Sequence, residues 1–311
     1  MNIQQFQYIL ALAENRHFEL AASKCFVTQS TLSTMISRFE EEVGIRVFDR
    51  KRKPVELTQE GLIIVEHLKR IVNDLEQLKE ISREMKGEIK GNLSISVIPT
   101  VAPYLLPLFL QSFADKFPDL HIRVNEQSTE EIIRQLKARE LDIGILSIPL
   151  MDKDILEVHL YDEPFVFFDA GKTGTGAVSL QNINSSKLCL MEEGHCMRTQ
   201  VMNLCELNKK LVHNQLNFEF QAGSIDSLLR FVRANQGTTL LPYLSTLDLS
   251  EKEKKHSRKF SSPVPYRSLG LAVHRHFVKK KILKLLHKHI QEKTAMVLPQ
   301  KKISGDRLAP V

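Results

Sequence analysis

The feature that most constrains this chain is a change of hydrophobic rhythm at the charged segment between Gly87 and Gly91. Before it, apolar residues recur at the 3,4 spacing of helices: Phe6, Ile9, Leu10 and Ala13, then Leu32, Ile36, Phe39 and Val43, then Val65, Leu68, Val72 and Leu75. After it, Leu93, Ile95 and Val97 alternate with serines, a helical stretch runs to about residue 117, and Leu120, Ile122 and Val124 alternate again. Two rhythms in 311 residues, 42% of them hydrophobic, imply about two or three folding units, each able to bury a core.

The first unit reads as three short helices and a wing. Thr28 is placed to cap the third helix, whose apolar face leaves Gln29, Ser30, Ser33, Thr34, Ser37 and Arg38 on the other side. A short, polar outer face can approach base edges, and free amides at a helix start favour a phosphate. Two short apolar ends, 47–48 and 55–57, flank the basic tip Arg50-Lys51-Arg52-Lys53, as in a β-ribbon. Double-stranded DNA is therefore the expected partner. Arg50, Lys51 and Arg52 would meet phosphates, Thr28 would sit where the helix start meets the backbone, and Gln29, Ser30, Ser33 and Arg38 would face bases. Glu40, Glu41 and Glu42 should point away. The boundaries are a winged helix-turn-helix over 1–58, a linker helix and hinge over 59–91 that pairs chains through Val65, Leu68, Val72 and Leu75, and an α/β module over 92–294.

Further strands are expected at 141–148, 164–168, 187–191, 238–241 and 269–273, with a closing helix over 277–293. The polar, lysine-rich segment 250–262 reads as solvated surface, and the tail 295–311, aperiodic and broken by Pro299, Gly305 and Pro310, as disordered.

Composition excludes several classes. No apolar run approaches the ~18 residues of a membrane span, and the first residues lack the basic start of a secretory signal, so a cytoplasmic protein is expected. Four cysteines are too few for a disulfide scaffold, and no Cys-x-x-Cys pair suggests a thioredoxin-type site. The net charge of +6 is carried mainly beyond Lys252, so bulk charge says less than the cluster at 50–53. The pairs His274/His276 and His287/His289 lack carboxylate or cysteine companions at ligand spacing and are expected to be solvated; no metal or cofactor is called for.

The stretch Phe18-Glu19-Leu20-Ala21-Ala22-Ser23-Lys24-Cys25-Phe26-Val27-Thr28-Gln29-Ser30-Thr31-Leu32-Ser33, with Glu40-Glu41-Glu42-Val43-Gly44-Ile45-Arg46-Val47-Phe48-Asp49-Arg50 and Leu57-Thr58-Gln59-Glu60-Gly61, resembles the DNA-binding region of LysR-type regulators. The resemblance implies a multidomain α/β chain: a winged helix-turn-helix, a long linker helix and a two-lobed, periplasmic-binding-protein-like sensing domain. It implies a regulator rather than an enzyme, acting on DNA as a homodimer or homotetramer and engaging RNA polymerase, with half-sites about 34–36 Å apart or a multiple of that. The family usually has proline where Ser30 stands; serine also suits a first helical turn.

Cys196 lies in Glu193-Gly194-His195-Cys196-Met197-Arg198-Thr199-Gln200, between a histidine and an arginine and at the start of a helix suggested by Met197, Val201 and Leu204. Positive charge and free amides favour its thiolate, the form that reacts with peroxide, and Cys205 follows as a candidate resolver. Thr100 and Thr129 each follow a strand, and the carboxyl ends of parallel strands gather at one crevice. If 197–204 is helical, the Cα atoms of Cys196 and Cys205 lie about 13 Å apart, against about 7 Å for a disulfide. With Ile98-Pro99-Thr100-Val101, Gly194-His195-Cys196-Met197-Arg198 and Gly237-Thr238-Thr239-Leu240-Leu241-Pro242, the chain resembles the hydrogen-peroxide-sensing members of that family, which control oxidative-stress genes. By that resemblance Cys196 is peroxidatic, Cys205 is resolving, the two form a disulfide, and Thr100, Thr129, His195 and Arg275 line the peroxide pocket. Thr199 stands where those members commonly have aspartate. Two other readings stay open: a cleft that binds a small metabolite inducer, with incidental cysteines, and a thiol peroxidase, against which the helix-turn-helix and linker speak.

Overall fold

The computed structural model describes residues 1–183, 187–192, 196–204, 222–299 and 305–308, apart from the side chains of residues 182, 196, 203 and 204. Two compact units divide the chain, Met1–Lys86 and Gly87–Val311, at the point where the rhythm changes.

In the first unit α1 (Ile3–Asn15), α2 (Phe18–Lys24) and α3 (Gln29–Val43) precede an antiparallel ribbon of β1 (Phe48–Asp49) and β2 (Glu56–Leu57), then α4 (Gln59–Met85). Ile9, Leu12, Leu32, Ile36 and Phe39 close one core with Val47, and each such side chain contributes about 1.5–3 kcal/mol by leaving water. Thr28 caps α3 by accepting from the Thr31 amide at 3.2 Å, and Thr58 caps α4 by accepting from the Gly61 amide at 2.8 Å. Position 61 must be glycine because a Cβ there would run into the Val47 carbonyl of the wing.

The apolar stripe of α4 is divided. Val65 and Leu68, expected on a seam between chains, are buried in the head's own core, while Ile71, Leu78 and Met85, seven residues apart, are exposed. Val72 and Leu75 of that expected seam are half-buried.

The second unit begins with β3 (Gly91–Val97), α5 (Ala102–Lys116), β4 (Leu120–Glu126), α6 (Thr129–Lys137) and β5 (Ile143–Ile148), and β3 runs parallel to both its neighbours as expected. It continues with β6 (Ile155–Asp169), α7 (Cys196–Leu204), α8 (Ile225–Ala234), β7 (Thr238–Pro242), α9 (Glu251–Lys254), β8 (Ser257–Lys259), β9 (Tyr266–His274) and α10 (Lys280–Thr294). The strands are ordered β4-β3-β5-β9-β6-β7, with β8 also on β6. β9 is antiparallel to β5 and β6, so the sheet is mixed. The 15-residue β6 serves both lobes: 155–164 pairs with β9, and 165–169 with β7. Each lobe has its own core, one built on β3, β5, α5 and α10, the other on β7, α7 and α8.

Three expectations are corrected. Residues 187–191 form no strand; their ladder pairing is limited to single bridges, Leu188 to Thr238 and Met191 to Ala222. The segment 250–262 is not bare surface: Ser250 and Glu253 make a capping box for α9, and β8 pairs with β6. In the tail expected to be disordered, Leu308 is buried and its N–H donates to the Tyr266 carbonyl at 2.8 Å.

Candidate functional site

On the head, α3 turns Leu32, Ile36 and Phe39 inward and leaves Thr28, Gln29, Ser30 and Arg38 exposed, with Ser33 half-buried. No acidic residue occupies its first turn, so the amides there that Thr28 does not cap leave a positive end suited to a phosphate. The wing is held against this helix. Arg50 Nη2 donates to Ser37 Oγ at 2.9 Å and to Glu40 Oε2 at 2.8 Å, and its guanidinium lies over the Phe18 ring at 5.6 Å. Glu40 Oε1 accepts from the Val47 and Phe48 amides at 2.8 and 3.1 Å. Glu40 is therefore more than an acid turned from DNA: it clamps the base of the wing to α3. Arg52 pairs with Glu56 at 2.6 Å and Asp49 at 3.6 Å, whereas among the described residues Lys51 and Lys53 have no ion-pair partner.

In the sensing unit, Thr100 follows β3 and is 2% exposed, and Thr129 is the first residue of α6, just past β4. Since β3 and β4 are adjacent and parallel, both threonines stand at the same carboxyl edge of the sheet. Thr100 is held by a guanidinium that sequence reasoning missed. Arg267 Nη1 donates to Thr100 Oγ1 at 2.9 Å, and Nη2 donates to the Thr100 carbonyl at 3.2 Å. Arg267 Nε and Nη2 both reach Glu163 Oε2, at 2.9 and 2.8 Å, and Glu163 Oε1 accepts from the Leu244 amide at 2.8 Å. Arg267 and Glu163 are each 1% exposed, so this is a desolvated, fully bonded pair rather than a surface contact.

Arg275, expected in the peroxide pocket, is elsewhere. It follows the last residue of β9, pairs with Asp154 at 3.2 Å and is half-exposed. Arg267 is at the other end of that strand, about 26 Å away at the rise of an extended chain, so Arg275 does not share a pocket with Thr100.

Cys196 opens α7. Met197 and Val201 are 2% exposed in the second lobe's core, as the apolar spacing foretold, while Thr199 faces solvent. Arg198 Nη1 donates to the Met191 carbonyl at 2.9 Å, fastening the start of the helix to the segment before it. His195 and Cys205 lie outside the described residues.

The other two cysteines are unsuited to nucleophilic work. Burial pushes the thiol pKa values of Cys25 and Cys189 up, and Cys189 Sγ lies 3.8 Å from the Lys187 carbonyl. Among the described residues no cluster of three or more His, Cys, Asp or Glu side chains that could hold a metal ion occurs. His289 is buried rather than solvated: it bonds Ser112 Oγ at 2.9 Å and packs on Phe113, and its pKa is lowered first by burial. Among the described residues no helix is long and apolar enough to cross a membrane.

Residues 3–62 match the bacterial regulatory helix-turn-helix protein, lysR family, and residues 86–295 match the LysR substrate binding domain. A hydrogen peroxide-inducible genes activator from Pectobacterium carotovorum subsp. carotovorum is 34% identical over 274 residues, covering 87% of this chain and 89% of that protein. The DNA-binding transcriptional dual regulator OxyR of Escherichia coli is 33% identical over 275 residues, 87% and 88% of the two chains. A solved full-length OxyR variant from Pseudomonas aeruginosa aligns with a TM-score of 0.73 at 27% identity, over 94% of this chain and 98% of that one.

Proposed function

Because the chain belongs to the LysR family of bacterial transcriptional regulators, we propose that it controls peroxide-inducible genes and senses hydrogen peroxide at Cys196. The position of Cys196 carries this reading: it is the first residue of α7, where the helix dipole favours a thiolate, whereas burial raises the pKa values of Cys25 and Cys189. The names of the Pectobacterium and Escherichia coli relatives support the signal.

In this reading the Cys196 thiolate attacks one oxygen of hydrogen peroxide. The O–O bond breaks, the other oxygen leaves as hydroxide and takes up a proton to become water, and the sulfur is oxidised by two electrons to a sulfenic acid. The Cys205 thiolate then attacks that sulfur, the hydroxyl departs as a second water, and a Cys196–Cys205 disulfide remains. Thr100 and Thr129 hold the peroxide beside His195. Because Thr100 Oγ1 accepts from Arg267, its own O–H is free to donate to the peroxide.

The disulfide cannot form on this helix. Residues 196 and 204 are eight steps apart in α7, about 12 Å, and the next Cα follows Leu204 by about 3.8 Å. Along α7 the Cα atoms of residues 196 and 204 are already past the disulfide limit of about 7 Å. We read the bond as opening α7 from its Leu204 end back toward Val201 and the core, which makes α7 the element that reports oxidation. The exposed row Ile71, Leu78 and Met85 supports pairing of chains through α4, and the family likeness supports a dimer or tetramer on DNA that engages RNA polymerase.

Peroxide-dependent footprinting tests the assignment. Cys196→Ser should lose the peroxide-induced change in footprint and keep reduced-state DNA binding, while Cys25→Ser and Cys189→Ser should respond as the unmodified chain does. A normal response in Cys196→Ser would overturn it.

A further inference from the structure

The C-terminal segment is built into the second lobe beside the sensing helix. Leu308 is 7% exposed and belongs to the same core as Met197 and Val201. The Leu308 N–H donates to the Tyr266 carbonyl at 2.8 Å and the Tyr266 N–H to the Asp306 carbonyl at 3.2 Å, a parallel bridge at the start of β9. Arg307 Nη2 reaches the Ile148 carbonyl, at the end of β5, at 3.0 Å. Gly305 passes so close to Val264 that a Cβ would strike its backbone.

The decisive contact comes from α7 itself. Gln200, in the middle of that helix and fully buried, donates Nε2 to the Leu308 carbonyl at 3.1 Å. Its Oε1 has no partner among the described residues, so the Leu308 carbonyl offsets much of the cost of burying this amide.

We infer that residues 305–308 are a strap that stabilises the helical state of α7 and is released when α7 unwinds on oxidation. The inference rests on the reading of Cys196 as the peroxide-reactive thiol. Gln200 lies between the two cysteines, so the turn that carries it cannot unwind without withdrawing the bond to Leu308. Once that bond and the core shared with Val201 are lost, residues 305–308 keep the short bridge to Tyr266, the Arg307 contact and the close passage at Val264, too little to hold them against their conformational freedom. Conversely, an unwinding of α7 that reaches Gln200 must undock the strap, so the strap's hold bears on how readily the helix opens. Oxidation would then free residues 305–308, which are held in the reduced chain.

The test uses the full chain in two arms. Without peroxide, hydrogen exchange is followed in the unmodified chain, in Leu308→Asp, which places a charge in the core contact, and in Leu308→Met, which keeps it apolar. Leu308→Asp should speed exchange of the 197–204 amides about tenfold, the size of one lost net hydrogen bond, and Leu308→Met should not. Equal protection in all three overturns the strap, whatever the cysteines do. In the second arm, trypsin cleavage after Arg307 is followed before and after mild peroxide. Cleavage should begin only once the disulfide forms, and Cys196→Ser should stay protected throughout. A chain that forms the disulfide yet stays uncut overturns strap release and leaves peroxide sensing intact. A chain that forms no disulfide overturns the sensing reading, and the exchange result then decides the strap alone.

Discussion

The head and the sensing domain each contain an arginine–glutamate pair, in opposite settings. Arg50 and Glu40 are ten positions apart, and Arg50 is 37% exposed; Arg267 and Glu163 are 104 positions apart and both 1% exposed. In the head the charge stays at the surface, where a phosphate can compete for it and where a pair adds about 0–1 kcal/mol. In the sensing domain the charge is sealed inside, where its value is geometric: it joins β6, β9, the Leu244 turn and Thr100 at one point. A surface that reads DNA needs replaceable partners, and a pocket that must hold one small molecule needs fixed ones.

The largest effect should come from breaking the buried pair. Glu163→Leu leaves the Arg267 guanidinium desolvated and half-bonded, and should cost about 3–5 kcal/mol in denaturant unfolding. The double change Glu163→Leu with Arg267→Leu should recover most of that loss, because an apolar pair of similar volume suits the site. It should nonetheless lose the peroxide response, since Thr100 loses the donor that orients its hydroxyl. A single change costing under about 1 kcal/mol would place the pair with ordinary surface bridges and erase the contrast.

The same contrast explains what the sequence reveals. The head is legible because its signals are local: the 3,4 spacing, the threonine caps at 28 and 58, and the basic tip lie within a few residues of what they organise. The sensing domain is legible where a strand or helix stands alone, as at β3, β4 and α6. It fails where one element serves two lobes. The first half of β6, 155–163, alternates poorly because its pairing with β9 shifts register between His159 and Tyr161, and Pro164 hides its continuity with the half that enters the other core. Which arginine meets Thr100 was not decidable from sequence. Arg267 and Arg275 flank the two ends of one strand, and only the antiparallel pairing of β9 with β5 settles which end meets Thr100.

An intermediate effect is expected at Glu40. Glu40→Ala strips the acceptor from the Val47 and Phe48 amides and from Arg50, and unpaired amides of this kind cost about 1–3 kcal/mol. The loosened wing should weaken binding to every DNA sequence alike, because what is lost is the position of the phosphate contacts and not the base-reading face of α3. Selective loss for one operator, measured by competition with random DNA, would instead put Glu40 in base recognition.

The smallest effect, and the finest probe of the exposed side of the comparison, lies at the wing tip. Arg52→Ala should change stability by less than about 1 kcal/mol, because its partners Glu56 and Asp49 are themselves partly in water. Its effect on DNA binding should also be smaller than its neighbour's. Lys51 is unpaired among the described residues, so Lys51→Ala should lower the slope of log affinity against log salt by about 0.9, the release of one phosphate's counterion. Arg52 must first leave Glu56, and removing it frees two carboxylates that DNA then repels, so affinity falls with little change in slope. Titrations of both variants over a salt series separate the two cases. Equal slope losses would mean that Arg52 exchanges its carboxylates for phosphate on binding, and that pairing at this surface does not restrain the charge.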